Sequence, residues 1–137
     1  GHVSMFAQDW AYPGHIEIVP GYDADSMDDF FDSIDVLLFP SQWRESYGLT
    51  VREALLRGVW VIATDGGGTT EDLADGINAT LIPLDSRAEP LRDAMAQVLT
   101  DPGRYLGAAR PVRPIPTFAD QADELEEIYR SCVAQRG

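Results

Sequence analysis

PSQWRESYGLTVREALLRGVWVIATDGGGTTE, residues 40–71, decides how this chain folds. Two glutamates, Glu45 and Glu53, stand eight positions apart, with Gly48 and Thr50 between them. The pattern from Gly48 to Arg57 predicts a helix, ended by Gly58 and carrying Arg57 in its last turn. "VWVIAT" (59–64) is an unbroken apolar run, the signature of a strand covered on both faces. "DVLLFP" (35–40), just upstream, reads the same way and is stopped by Pro40. Strand, helix, strand within thirty residues is the parallel crossover unit.

The alternation continues in both directions. "HIEIVP" (15–20) is β-branched, ends at Pro20-Gly21, and predicts a short strand. "SMDDFFDSI" (26–34) predicts a helix, with Ser26 as cap, Asp28 and Asp29 in the first turn, and Met27, Phe30, Phe31 and Ile34 at helical spacing. Downstream, "GGGTTEDLAD" (66–75) predicts a glycine loop leading into a short helix, and "ATLIPL" (79–84) a fourth strand. "EPLRDAMAQVLTD" (89–101) predicts a helix with Pro90 near its start. Four prolines make 102–118 mostly loop, and "ADQADELEEIYRSCVAQ" (119–135) closes as a helix with Leu125, Ile128, Tyr129 and Cys132 on one face. The expected class is therefore α/β: a Rossmann-like parallel sheet of about four strands with helices on both faces. Residues 1–14 read as a leader containing a tag scar, 15–118 as the domain and 119–137 as a terminal helix.

Composition narrows the function. The chain has 137 residues, 45% hydrophobic, enough for one modest domain. A net charge of −13 argues against nucleic acid and against an anionic membrane surface, both of which need basic residues. The single cysteine, Cys132, allows no internal disulfide, which with the lack of a visible signal peptide makes a cytoplasmic setting the expectation. No apolar run approaches the roughly 18 residues of a membrane span. His2 and His15 are too few and too isolated for a metal site, so no metal is expected. Asn78-Ala79-Thr80 fits a glycosylation sequon by chance.

Ligands of parallel sheets sit outside the carboxyl ends of the strands. Here those ends are Pro20-Gly21, Pro40-Ser41, Thr64-Asp65-Gly66 and Leu84-Asp85. The first turn at Tyr47, Gly48, Leu49 and Thr50 offers free N–H groups and the positive end of a helix dipole. Eight helical residues cover roughly 12 Å at about 1.5 Å each. A nucleotide diphosphate sugar, with hydroxyl-bearing groups on either side of a pyrophosphate, matches a carboxylate at each end with amides between. Spacing alone leaves a second reading open, in which both glutamates are surface charges near a helix start. Gly66-Gly67-Gly68-Thr69-Thr70-Glu71 fails the dinucleotide fingerprint, because Glu71 occupies the third glycine's place. As a bare loop it reads as a structural turn; at a strand's carboxyl end it reads as a ligand cradle.

"DVLLFPSQWRESYGLTVREALLRGVWVIATDGGGTTEDLADGINATLIP" closely resembles the carboxy-terminal domain of group 1 retaining glycosyltransferases of GT-B fold. The likeness is an ordered string: a strand ending in Pro-Ser, Glu, seven residues, Glu, Ala-Leu, a Gly-led strand, a Gly-Gly loop plus Glu, and an Asp-Gly turn. It covers about residues 15–101. The resemblance implies half of a GT-B fold that holds a nucleotide-sugar donor, with no cofactor beyond that substrate. It implies that Glu45 is catalytic and contacts the donor sugar hydroxyls, and that Glu53 contacts the ribose. Gly48, Leu49 and Thr50 amides would hold the diphosphate, Ser41 and Tyr47 would lie against the donor, and Gly66, Gly67 and Gly68 would give close approach beside it. Trp43 is a further aromatic near the site.

The chain departs from the family in two ways. Ala79 stands where the family has glycine, so the turn is expected to use Asn78 in the left-handed conformation. The two opening strands, with their Arg and Lys, and the amino-terminal acceptor domain are missing. "DVLLFP" would then sit at an edge. The expectation is that "HIEIVP" pairs with it, residues 16–19 against 36–39, while homodimer contacts bury the remaining apolar surface. The leading reading is the donor-binding part of a retaining glycosyltransferase that acts on an acceptor hydroxyl. Two others stand beside it: a non-catalytic interaction module on the same fold, and a relative that epimerises nucleotide sugars at C2.

Overall fold

The structure is a computed structural model that describes residues 14–85 and 87–135. The leader expected at 1–14 lies outside the described residues, apart from Gly14. In chain order the elements are α1 (Met27–Asp32), β1 (Val36–Phe39), α2 (Leu49–Leu56), β2 (Trp60–Thr64), β3 (Ala79–Ile82), α3 (Glu89–Thr100) and α4 (Phe118–Ala134). Short 3₁₀ turns occupy Gly68–Thr70 and Pro102–Arg104.

The sheet is parallel, in the order β1-β2-β3. Val36 pairs with Trp60 and Phe39 with Ala63; Val61 pairs with Ala79 and Thr64 with Ile82. All five residues of β2 are buried, so the central strand is covered on both faces, as its unbroken apolar run requires. α2 packs on β1 and β2, and α3 on β3. Around them lie Phe31, Val51, Leu55, Ile62 and Leu73. Complete burial of Leu55 and Ile62 stabilises the fold by about 1.5–3 kcal/mol each.

Four expectations need correction. The sheet has three strands, because residues 15–20 form none and make no ladder with 36–39. Ile16, Ile18 and Val19 stay exposed, and β-propensity gives no strand where the side chains gain no burial against neighbours. What docks this segment is Tyr22, stacked on Phe30 at 4.7 Å between ring centres and edge-on to Phe31 at 5.4 Å. Consequently β1 is an edge strand, half-buried and with Leu38 exposed. Ser26 does not cap α1 with its side chain. Instead Asp23 accepts from the Ser26 N–H at 3.0 Å and from its hydroxyl at 2.7 Å. The glycine loop leads into a 3₁₀ turn rather than an α-helix. Finally, no described residue other than glycine has a positive φ, so Asn78 is not left-handed; Gly76 is, at φ +72°. Asn78 makes the turn through its side chain. Its buried amide accepts from Ala74 N–H at 2.7 Å and donates to the carbonyls of Asp72 and Arg110 at 3.0 and 2.9 Å. A glycan has no access to that amide.

Candidate functional site at the carboxyl ends of β1 and β2

Residues 40–48 leave the carboxyl end of β1 and turn back into α2. Thr64 at the end of β2 ties them down, its hydroxyl donating to Ser41 O. The Ser41 hydroxyl in turn donates to Glu45 Oε1 at 3.1 Å. Glu45 lies before α2 and Glu53 within it, as their spacing predicts.

The glycine loop after β2 docks on the same segment. Glu45 and Gly67 form an isolated parallel bridge, and Gly68 N–H donates to Glu45 O at 2.8 Å. A Cβ at Gly67 would lie 2.4 Å from Glu45 O, and one at Gly68 would lie 1.9 Å from Ser46 O. The side chains these two positions lack are therefore accounted for by backbone meeting backbone. Gly48 caps α2 in the left-handed conformation, φ +69°, against Thr69. The first intrahelical bonds run from Val51 and Arg52 N–H to Gly48 O, so the amides of Leu49 and Thr50 precede them.

Tyr47, Leu49 and Glu53 line one cavity of about 290 Å³, together with Leu56, Ile115 and Phe118. Glu45 is not among its lining residues. The expected residues thus form two adjoining groups. Ser41, Glu45 and the glycine loop make one; Tyr47, Leu49 and Glu53 make the other, with Gly48 and the α2 N-terminus between them. Trp43 is almost fully exposed.

Four residues absent from the sequence-based list organise these groups. Tyr22 O–H donates to Glu53 Oε2 at 2.8 Å. Partial burial, then the Glu53 hydrogen bond, push this hydroxyl above its ordinary value, with Thr50 and Arg57 opposing. Arg52 is buried beneath the Tyr47 ring, its guanidinium carbon 3.6 Å from the ring centre. Its Nε lies 2.7 Å from Asp72 Oδ2, off the line of a hydrogen bond, and its Nη2 donates to Gly68 O at 3.3 Å. Arg113 donates to the other oxygen of Asp72, so one buried carboxylate ties together α2, the glycine loop and the proline-rich segment. That hydrogen bond raises the Arg113 pKa, with the Asp72 charge adding to it. The sequence signal for Arg52 was its position beside Val51, Ala54 and Leu55 on the buried face of α2. Nothing local marked Tyr22, Asp72 or Arg113 as its companions. Among the described residues no cluster of three His, Cys, Asp or Glu side chains is placed to hold a metal.

The family model described as glycosyl transferases group 1 matches residues 6–110. The chain belongs to that family. A D-inositol 3-phosphate glycosyltransferase of Nocardiopsis dassonvillei is 29% identical over 133 residues, 88% of this chain and 28% of that protein. The lipopolysaccharide core biosynthesis mannosyltransferase LpsB of Rhizobium meliloti is 33% identical over 108 residues, 75% of this chain and 30% of its own. A GDP-mannose-dependent alpha-mannosyltransferase of Mycolicibacterium smegmatis is 31% identical over 106 residues, 77% of this chain and 28% of its own. This group 1 chain spans less than a third of the length of these relatives. Among solved structures, Anabaena Alr3699/HepE, crystallised with UDP and glucose, matches with a TM-score of 0.54 at 24% identity. The match covers 63% of this chain and 23% of that one, a likeness of fold. Among the described residues of this group 1 chain, no helix is long and apolar enough to cross a membrane.

Proposed function

We propose that this chain holds the nucleotide diphosphate sugar of a retaining glycosyltransferase, which passes the sugar to an acceptor hydroxyl. One observation carries the reading. Glu45 and Glu53 bracket a glycine-capped helix N-terminus at the carboxyl end of β1, where parallel sheets bind ligands. The family and the named activities of its relatives support it, and the neighbour crystallised with UDP and glucose shares the fold.

On this reading the Leu49 and Thr50 amides and the α2 dipole receive the diphosphate, and oppose the charge that grows on it as the glycosidic bond breaks. Glu45, steadied by Ser41, accepts from hydroxyls of the transferring sugar. Glu53 accepts from the ribose. The two carboxylates flank the phosphates, so neither repels them directly. Acceptor binding belongs to residues of a longer enzyme, in keeping with the fraction of each relative that the chain matches.

Calorimetric titration with UDP-, GDP- and ADP-sugars tests the reading. At least one should bind with millimolar affinity or better, and Glu53→Ala should abolish the heat while leaving the melting transition in place. No binding to any of them overturns the proposal and leaves the interaction module, which keeps the fold without the chemistry.

A further inference from the structure

Glu53 is oriented from outside its own helix. Tyr22, thirty-one positions earlier in the sequence, donates to Oε2 at 2.8 Å, and no described residue donates to Oε1. Tyr22 itself has little freedom. Its ring is stacked on Phe30 with planes 28° apart and meets Phe31 edge-on, and Phe31 is 1% exposed in the core. Arg57 closes the arrangement by donating to Glu53 O at 3.0 Å and lying over the Phe31 ring at 5.3 Å. Glu53 lines its cavity, with one carboxylate oxygen committed to Tyr22 and no described donor on the other.

We propose that Tyr22 is a positioning residue. It fixes one oxygen of the Glu53 carboxylate, so that the other is presented to a vicinal diol. This rests on the donor-site reading and gives it a specificity: ribonucleotides over 2′-deoxyribonucleotides. The lone pairs that Tyr22 leaves free on the carboxylate can accept from both hydroxyls of a diol. A ligand lacking the 2′-hydroxyl leaves part of that carboxylate desolvated and unpaired, the arrangement that discriminates most strongly against an analogue.

The experiment titrates the 137-residue chain with UDP, GDP and ADP and with their 2′-deoxy counterparts, for the wild type, Tyr22→Phe and Glu53→Gln. Phenylalanine keeps the ring stacking, so Tyr22→Phe should retain the wild-type melting midpoint. The wild type should favour the ribonucleotide by about tenfold or more, the scale of one hydrogen bond to a charged group. Tyr22→Phe should cut that preference at least about threefold by weakening the ribonucleotide while leaving the deoxynucleotide nearly unchanged. Equal weakening of both ligands would mean that Tyr22 only supports the fold, and would overturn the proposal. So would a full ribonucleotide preference in Tyr22→Phe; if Glu53→Gln then loses that preference, the donor-site reading stands and only the Tyr22 role falls. If the wild type binds no nucleotide, both fall.

Discussion

α2 and α4 are supported in opposite ways. α2 has eight residues, no side-chain cap, and four buried members, Val51, Arg52, Ala54 and Leu55. α4 has seventeen residues and none buried. It carries a full capping box, in which the Thr117 hydroxyl receives Asp120 N–H while Asp120 receives the Thr117 N–H at 2.7 Å. An Arg130–Glu126 pair adds a contact along its surface. α2 is a helix because the sheet and the glycine loop hold it. α4 is a helix because of its own local interactions, which alone make even a 17-residue helix marginal in water. The difference teaches where to look for the site: the helix whose geometry is imposed from outside is the one that can hold Glu53 and the N-terminal amides in place.

The largest expected effect tests the ties around α2. Asp72→Ala leaves the buried Arg52 guanidinium with only the exposed Glu71 carboxylate, 3.6 Å away, and should cost about 3–5 kcal/mol in urea unfolding. The double change Arg52→Met with Asp72→Leu should cost much less, since it removes both charges together. A single change no worse than the double would break the claim that the buried pair holds this region.

Leucine truncation on the two helices comes next. Leu55→Ala, on α2, empties a fully buried position and should cost about 2–5 kcal/mol. Leu125→Ala, on α4, changes a half-exposed surface residue and should stay within about 0.5 kcal/mol. Comparable losses would mean that α4 is buried in solution and that the contrast between the helices is false.

The smallest effect sharpens the contrast from α4's side. Thr117→Ala should weaken that helix by about 1 kcal/mol, read as lost helical circular dichroism with no shift in the main unfolding midpoint. The Thr117 hydroxyl, then its backbone N–H, hold Asp120 below the usual carboxylate range. The cap is therefore at full strength above about pH 4 and is lost as the pH falls through the lowered value. Helicity in the wild type should drop over that acid range, and the drop should vanish in Thr117→Ala. The same acid transition in both proteins would mean that the cap does not order α4.

Much of this was legible from residues 35–84. Short apolar runs ended by Pro40 and Asp65 mark strands, and the Gly48–Gly58 frame marks a short crossover helix, so β1, α2, β2 and β3 follow from pattern, though the cover expected on both faces holds for β2 and not for the edge strand β1. The places of Glu45 and Glu53 relative to α2 follow with them. The amphipathic stripe of α4 was legible too, but a stripe says only that a face is apolar and not that a partner lies against it. Leu125, Ile128 and Tyr129 remain exposed.

By itself, then, the sequence determined the parallel α/β order, the position of the paired glutamates around a glycine-led helix start, and the family. These are short-range properties of hydrophobic period and backbone freedom. The tertiary structure decided that residues 15–20 join no strand, that Gly67 and Gly68 admit the backbone of Glu45 and Ser46, and that Asn78 makes its turn by hydrogen bonds rather than by a left-handed backbone. It also decided that Tyr22 reaches Glu53 and that Arg52 and Arg113 meet at the one buried carboxylate of Asp72. The Tyr22–Glu53 and Asp72–Arg113 contacts join residues 31 and 41 positions apart. No local pattern encodes them, because burial and pairing are set by which surfaces the completed fold brings face to face.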